Sequence, residues 1–329
     1  MRTQLTMFLV TMGIASVGFS SAALAQAWPQ RPVTVIVPFS AGGNTDGIAR
    51  MTAQRLGTAF GKPFIVENRP GASGAIAAEL SKRASPDGYT LFVAPLPVMA
   101  VVPAVSNVRY DPQKDFVPIS NIATNPFALV VNNDIPVKTL SEFVDYVRAN
   151  NRQLSYGSAG PGSLNHLSMA LFLKRAGVEM IHVPYKGNAP ALADVMAGHI
   201  AAMFSNLPDA LAQAKGGTVR LLAISSQARS PLVPDVPTVS ESGYPNFNVL
   251  TWNGLMAPTG TPQDIIDRIA HEIAVAVKDP KFVSQLADFG VDPLGNTPAE
   301  YKAMLANDIP IWAEAVDVAG VKQQEGDAR

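Results

Sequence analysis

The sequence predicts a two-lobed α/β fold in which each lobe is a mostly parallel sheet flanked by helices. Three observations carry that expectation. Apolar runs of strand length alternate with amphipathic stretches of helix length, with turn signals between them. The alternation pauses at Y-D-P-Q-K-D-F, residues 110–116, and then starts again. The last third holds one strand-like segment and two long helical patterns, too few strands for a third sheet, so it is expected to return and complete the first lobe. A chain that leaves a lobe and comes back crosses between lobes twice, and two crossovers make a hinge.

The elements follow in order. V-T-V-I-V (33–37) is apolar and β-branched and reads as a buried strand; 47–60 reads as an amphipathic helix and F-I-V-E (64–67) as the next strand. Residues 72–84 read as helix, and after the S-P-D-G turn Y-T-L-F-V-A (89–94) reads as a third strand. In the second lobe the strands are 127–131, 154–158, 181–185, 200–204 and 219–224, and the helices between them 140–150, 164–176 and 189–198. The proline-rich S-P-L-V-P-D-V-P-T (230–238) breaks the pattern, V-L-T-W-N-G-L-M-A-P (249–258) is the returning strand, and 262–278 and 298–318 are the closing helices. Lobe 1 is therefore expected over 26–124 plus 227–329, and lobe 2 over 125–226.

The first residues have one arginine, Arg2, an apolar stretch from about Leu5 to Phe19, and small residues at Ala23 and Ala25. That is the pattern of a secretory signal peptide over 1–25, and the stretch is short of the roughly 20 residues that span a bilayer. Export predicts a periplasmic, soluble mature protein. The chain has no cysteine, so it stands on its core without disulfides and carries no lipid anchor on Cys. A formal net charge of −1 with no basic run argues against nucleic acid or anionic lipid as partner.

Two glycine loops carry the chemistry. P-F-S-A-G-G-N-T-D (38–46) and S-A-G-P-G-S (158–163) each follow a strand and open a helix. In an open parallel sheet, ligands lie beyond the carboxyl ends of the strands, where unpaired helix amides and the macrodipole favour an anion without any arginine. The bland reading is a tight turn with Asn44, Thr45 or Asp46 as a helix cap. A dinucleotide fingerprint fits less well: Gly42 and Gly47 match its outer glycines and Glu67 its acid, but the middle glycine is Asn44, and Asp46 would face phosphate. The four histidines have no zinc spacing, and neither Ser73 nor Ser158 sits in G-x-S-x-G, so no metal, cofactor or catalytic residue is expected. His166, just inside a helix, reads as a capping or packing residue.

Many stretches together resemble one family: W-P-Q-R-P-V, P-F-S-A-G-G-N-T-D, V-E-N-R-P-G-A-S-G, S-P-D-G-Y-T-L, S-Y-G-S-A-G-P-G-S-L-N-H-L, H-V-P-Y-K-G and R-S-P-L-V-P-D-V-P-T, in that order. The chain resembles the Bug, or TctC-like, solute receptors of tripartite tricarboxylate transporters. The resemblance implies a periplasmic binding (Venus flytrap) fold that closes on a small di- or tricarboxylate and hands it to a membrane permease. It implies ligand contacts at Ser40, Ala41, Gly42, Gly43, Asn44 and Thr45 in lobe 1. In lobe 2 it implies Ser158, Gly160, Gly162 and Ser163.

Asp46 is expected to accept N–H bonds of its own helix start and so fix the loop, with contact to a ligand donor as the other role. Two departures from the family bear on the ligand. Ser205 stands where the family commonly has an acid, and Leu96, Pro97 and Met99 stand where relatives carry polar residues. These residues suggest a more apolar pocket, favouring aromatic or longer aliphatic acids over citrate or malate. The sequence thus reads as a non-enzymatic receptor for a carboxylate, with a sensor-coupled receptor or a serine hydrolase as the alternatives.

Overall fold

The computed structural model describes residues 28–150, 153–185 and 187–321. The expected signal peptide lies outside the described residues. Lobe 1 opens with β1 (Val33–Val37), α1 (Asn44–Phe60), β2 (Phe64–Asn68), α2 (Ala75–Lys82) and β3 (Thr90–Pro95). A π-turn at Pro97–Val101 and the short α3 (Val102–Val105) then lead to β4 (Phe116–Asn132). Lobe 2 adds α4 (Leu140–Ala149), β5 (Ser155–Ser158), α5 (Leu164–Ala176) and β6 (Ile181–Pro184). It continues through α6 (Asn188–Met196), β7 (Ala202–Asn206), α7 (Leu207–Lys215) and β8 (Val219–Ile224). The chain returns along β9 (Leu250–Pro258) and ends with α8 (Gln263–Ala276), α9 (Pro280–Asp288), β10 (Asp292–Pro293) and α10 (Pro298–Val318).

The strands form one hydrogen-bonded path, β2-β1-β3-β9-β4-β7-β5-β6, with β8 and β10 also on β4. Strands joined through helices pair parallel: β1 with β2 and β3, β5 with β6 and β7. Strands at the crossings pair antiparallel: β9 with β3 and β4, and β4 with β7 and β8. The sheets are mixed, and the expected parallel character holds at their outer strands. β4 is much longer than the expected 127–131 because it serves both sheets. Its residues up to Pro126 pair with β9, and from Phe127 on they pair with β7. The second crossing runs from β8 to β9.

Period-two alternation sorts the strand side chains into two layers. In β3, Leu91 and Val93 pack with α1 and α8, whereas Phe92 and Ala94 pack with the core reached by α10. In β4, Ala128 and Val130 face α6 and α7, while Phe127, Leu129 and Val131 face the shared core. Burial on both faces is why these strands are continuously apolar, and each Leu, Val or Phe among them contributes about 1.5–3 kcal/mol on burial. α7, α9 and the helical residues 97–105 were not legible in the sequence, since short elements give little periodicity. Among the described residues, no helix is long and apolar enough to cross a membrane.

α10 spans both lobes. Its buried residues Tyr301, Leu305, Trp312, Ala315 and Val316 fall on one helical stripe and join the core that β3, β4 and α5 share. Tyr301 lies against Gly254 of β9, where a Cβ would stand 2.1 Å from its hydroxyl oxygen, so only glycine fits. Trp252 of β9 meets the Tyr301 ring edge-on at 5.3 Å and donates its Nε1 proton to Asp308 at 2.6 Å.

Burial pushes the Asp308 carboxyl up to about 6, against the opposing effect of the Trp252 bond. The folded value thus lies above the unfolded one near 3.9, so the stability linked to the bound proton is complete below about pH 4 and is lost as pH rises through about 6. Asp308→Asn keeps an acceptor for the indole and removes the buried charge. It is expected to match the wild type near pH 4 and to exceed its stability by about 2 kcal/mol near pH 7.5. Urea melts at the two pH values check this; a gap independent of pH would mean that the carboxylate is not the destabilising group.

Candidate functional site

A cleft of about 430 Å³ opens between the lobes, within the size range of small-molecule sites. Lobe 1 supplies Asn44 and Thr45 from the start of α1 and Thr251 and Asn253 from β9, and Asn125 comes from the crossing strand β4. Lobe 2 supplies Gly162, Ser163 and Asn165 around the start of α5, and Asn206 and Asp209 around the start of α7. Phe39, Phe127, Leu164 and Phe289 add apolar surface. No Lys, Arg or His side chain lines it among the described residues.

In lobe 1, α1 begins at Asn44 rather than at the expected Gly47, so Asn44, Thr45 and Asp46 form its first turn. The N-cap is Gly43, extended at φ −83° and ψ 172°, and no side chain caps the helix. The first-turn amides of Asn44 and Thr45 are therefore unpaired within the helix, and both residues line the cleft. Ser40, Ala41, Gly42 and Gly43 stand exposed in the loop but do not line the cleft.

Asp46 is buried and bound on every side. Its Oδ2 accepts the Gly42 N–H at 2.9 Å and the Arg50 Nε proton at 2.9 Å, and its Oδ1 accepts from Asn68 at 2.9 Å. Burial raises its carboxyl, but the bonds from Arg50, Gly42 and Asn68 outweigh that and hold it below the ordinary carboxylate range. This geometry is the loop-fixing one; the carboxylate does not line the cleft.

Lobe 2 repeats the arrangement with a different group. The Gly162 N–H donates to Nδ1 of His166 at 3.1 Å, again four residues on. His166 stacks on His182 with centroids 3.8 Å apart and planes 5° from parallel, and Tyr156 stacks on His182 in turn. Burial, with the neighbouring His182, lowers His166 to about 4, so it is neutral and its Nδ1 is free to accept. His182 is lowered by burial too. His166 is thus a packing residue, as expected, and a brace besides.

The other lobe 2 groups are committed within the loop. Ser158 Oγ lies 2.7 Å from His182 Nε2 and accepts from Gly160 N at 3.1 Å; Ser163 Oγ donates to Gly160 O at 2.7 Å and accepts the His166 N–H. Ser158 and Gly160 are behind the cleft, and the free amides are those of Leu164 and Asn165 at the start of α5. The Ser158–His182 pair was not legible in the sequence. Ser158 is fully buried and no carboxylate bonds His182 among the described residues, so the pair lacks the orienting acid and the access that a nucleophile needs. Among the described residues no group of His, Asp and Glu is placed to hold a metal ion.

Three expectations about the cleft wall change. Leu96 and Met99 turn into the core at 1% and 0% exposure, and of those three residues Pro97 lines the cleft. Ser205 is fully buried beneath the surface, where Asn188 donates to it at 3.1 Å. The side chains pointing away do so because the π-turn and β7 each bury the face opposite the cleft. The β9 contribution was missed, although Thr251 and Asn253, two apart in an otherwise apolar strand, were its signal. Across the cleft mouth the lobes touch at Gly290 and Pro208, where a Cβ on Gly290 would meet the proline ring at 2.0 Å.

Asp46→Ala removes three hydrogen bonds, one of them to a guanidinium, and is expected to cost about 2–3 kcal/mol near neutral pH. Because the folded value is lowered, this contribution is complete above about pH 4 and fades as pH falls through it. The gap between wild type and variant in urea melts should therefore shrink below about pH 4; a gap that persists unchanged would deny the carboxylate this role.

The profile described as "Tripartite tricarboxylate transporter family receptor" (TctC) matches residues 48–320. Protein BugT of Bordetella pertussis is 35% identical over 325 residues, covering 97% of this chain and 99% of that protein. A solved structure from R. palustris with adipate superposes with a TM-score of 0.75 at 35% identity, covering 89% of this chain and 98% of the other. MatC from Rhodopseudomonas palustris with bound malate gives 0.71 at 34% identity, with 88% and 100% covered. By profile, sequence and fold, the chain belongs to the TctC family of tripartite tricarboxylate transporter receptors, whose solved members are periplasmic binding proteins.

Proposed function

We propose that the protein is a non-enzymatic periplasmic receptor that binds a small organic carboxylate between its lobes and delivers it to the membrane subunits of a tripartite transporter. The observation that carries this reading is the cleft itself. Two braced glycine loops, one from each lobe, place uncapped or partly capped helix starts at a polar space with no basic side chain among the described residues. That is a site for a carboxylate held by amides and hydroxyls. The related structures with adipate and with bound malate support the choice of a small dicarboxylate.

In this reading, the lobes divide as 26–124 plus 227–329 and 125–226, and residues Asn44, Thr45, Gly162 and Ser163 lie at the ligand. Ser40 to Gly43, Asp46, Ser158, Gly160 and Ser205 act from behind, by holding loop and wall in shape. The apolar surface of Phe39, Phe127 and Leu164 takes the place assigned to Leu96 and Met99, at roughly 25 cal/mol per Å² covered.

Calorimetry and thermal shift with adipate, malate and citrate test the reading. A dicarboxylate should raise the melting temperature more than citrate, and mass spectrometry should recover it unchanged. Turnover of the bound acid would make the protein an enzyme. Small-angle scattering should show the radius of gyration falling on saturation, as the lobes close; an unchanged radius would rule out closure.

Gly160→Val tests the loops. Gly160 has φ +127°, a conformation that costs a branched side chain about 1–3 kcal/mol. The expected outcome is binding weakened by about tenfold or more with an unchanged circular dichroism spectrum. Wild-type affinity in this variant would remove the lobe 2 loop from the site.

A further inference from the structure

Asp209 is the one charged side chain on the cleft surface among the described residues. It belongs to the first turn of α7, and its Oδ2 accepts from Asn188 Nδ2 at 2.7 Å. Asn188 is held in turn by Asn165, whose Nδ2 also bonds the Phe204 carbonyl at 2.7 Å. Among the described residues Asp209 is therefore held by a neutral amide, with no cation bonded to it. The macrodipole favours an acid in this turn, but it does not supply a counter-charge to a second anion entering the cleft. A carboxylate ligand seated on the α5 amides would meet Asp209 one strand away, because β5 and β7 are parallel neighbours and such strands lie about 4.8 Å apart.

A second group points the same way. Asn253 lines the cleft at 4% exposure, and its Oδ1 has no hydrogen-bond partner. The wall thus holds one charged acceptor at its surface and one neutral, unpartnered acceptor just beneath it, and a plain polycarboxylate answers neither. Leaving such groups unpaired costs a ligand affinity, and a ligand that donates to them recovers it.

We propose that Asp209 is the specificity determinant of the cleft, selecting a carboxylate that carries a hydrogen-bond donor, an ammonium or hydroxyl, beside its acid group, over one bearing a further carboxylate there. This rests on the receptor reading above and names the ligand class within it. Ammonium and hydroxyl share the chemistry of donation to Asp209, and matched ligands separate them.

Calorimetry on the full mature protein and on Asp209→Asn would use two series: succinate, malate and aspartate, and glutarate, 2-hydroxyglutarate and glutamate, with citrate alongside. The wild type should bind the best donor-bearing acid of a series at least about tenfold more tightly than its unsubstituted parent. Asp209→Asn should bring that ratio close to unity and tighten citrate. An amino acid in the lead, with affinity falling as salt is added, assigns the donor as ammonium; a hydroxy acid in the lead assigns it as hydroxyl. Parent acids that bind the wild type as tightly as their derivatives, or a substitution that scales every ligand by one factor, would overturn the assignment and leave the receptor reading standing. Failure of every carboxylate to bind the wild type would overturn both. Asp209 is exposed, so circular dichroism of the variant should match the wild type and confirm that fold is not the variable.

Discussion

A single strand has to belong to two sheets. β4 pairs with β9 up to Pro126 and with β7 from Phe127, and the other strands of the molecule are arranged around that change of partner. Because β4 enters one sheet and leaves through the other, the strands on either side of it are forced antiparallel, while those further out can remain parallel with helices between them. The parallel strands of both lobes then end at the space between the lobes, and so do the helix starts that follow β1, β5 and β7. The site is a consequence of the topology before any particular side chain is considered.

The two loops reach the same mechanical solution with different chemistry. In each, an amide of the glycine turn is tied to a side chain four residues on, a carboxylate at Asp46 and a neutral imidazole at His166. The tie uses up one amide and fixes the direction of those that follow. It also keeps the bracing charge of Asp46 out of the cleft, balanced by Arg50, so that among the described residues the space has no cation and Asp209 is its charged group. A site built this way discriminates by the placement of donors and acceptors and less by net attraction.

Much of the fold was legible because buried strands with apolar faces on both sides and long amphipathic helices give strong periodic signals. Val33–Val37, Leu164–Ala176 and Pro298–Val318 fall where the sequence puts them. The extension of β4 back to Phe116 was hidden because Ser120, Asn121, Thr124 and Asn125 interrupt its apolar pattern; in the fold Thr124 Oγ1 donates to the Thr251 carbonyl of β9, Ser120 Oγ donates to the Asn296 carbonyl, and Asn125 lines the cleft. The two loops were legible as anion sites, but which of their groups are free was not. That depends on bonds such as those of His166 and His182, which are brought together by pairing between β5 and β6. Leu96 and Met99 misled for a similar reason: in a π-turn, the side-chain directions are not those of a loop.

β9 presents Thr251 and Asn253 to the cleft and, between them, turns Trp252 the other way. The indole is packed against Tyr301 and bonded to Asp308 on the helix that spans both lobes. It is dry, rigidly held and one residue removed from the cleft surface, so a ligand need not touch it to alter its surroundings. The protein therefore carries a native fluorophore between the cleft and the spanning helix, and with Trp28 and Trp312 replaced its emission is expected to report on changes at that junction.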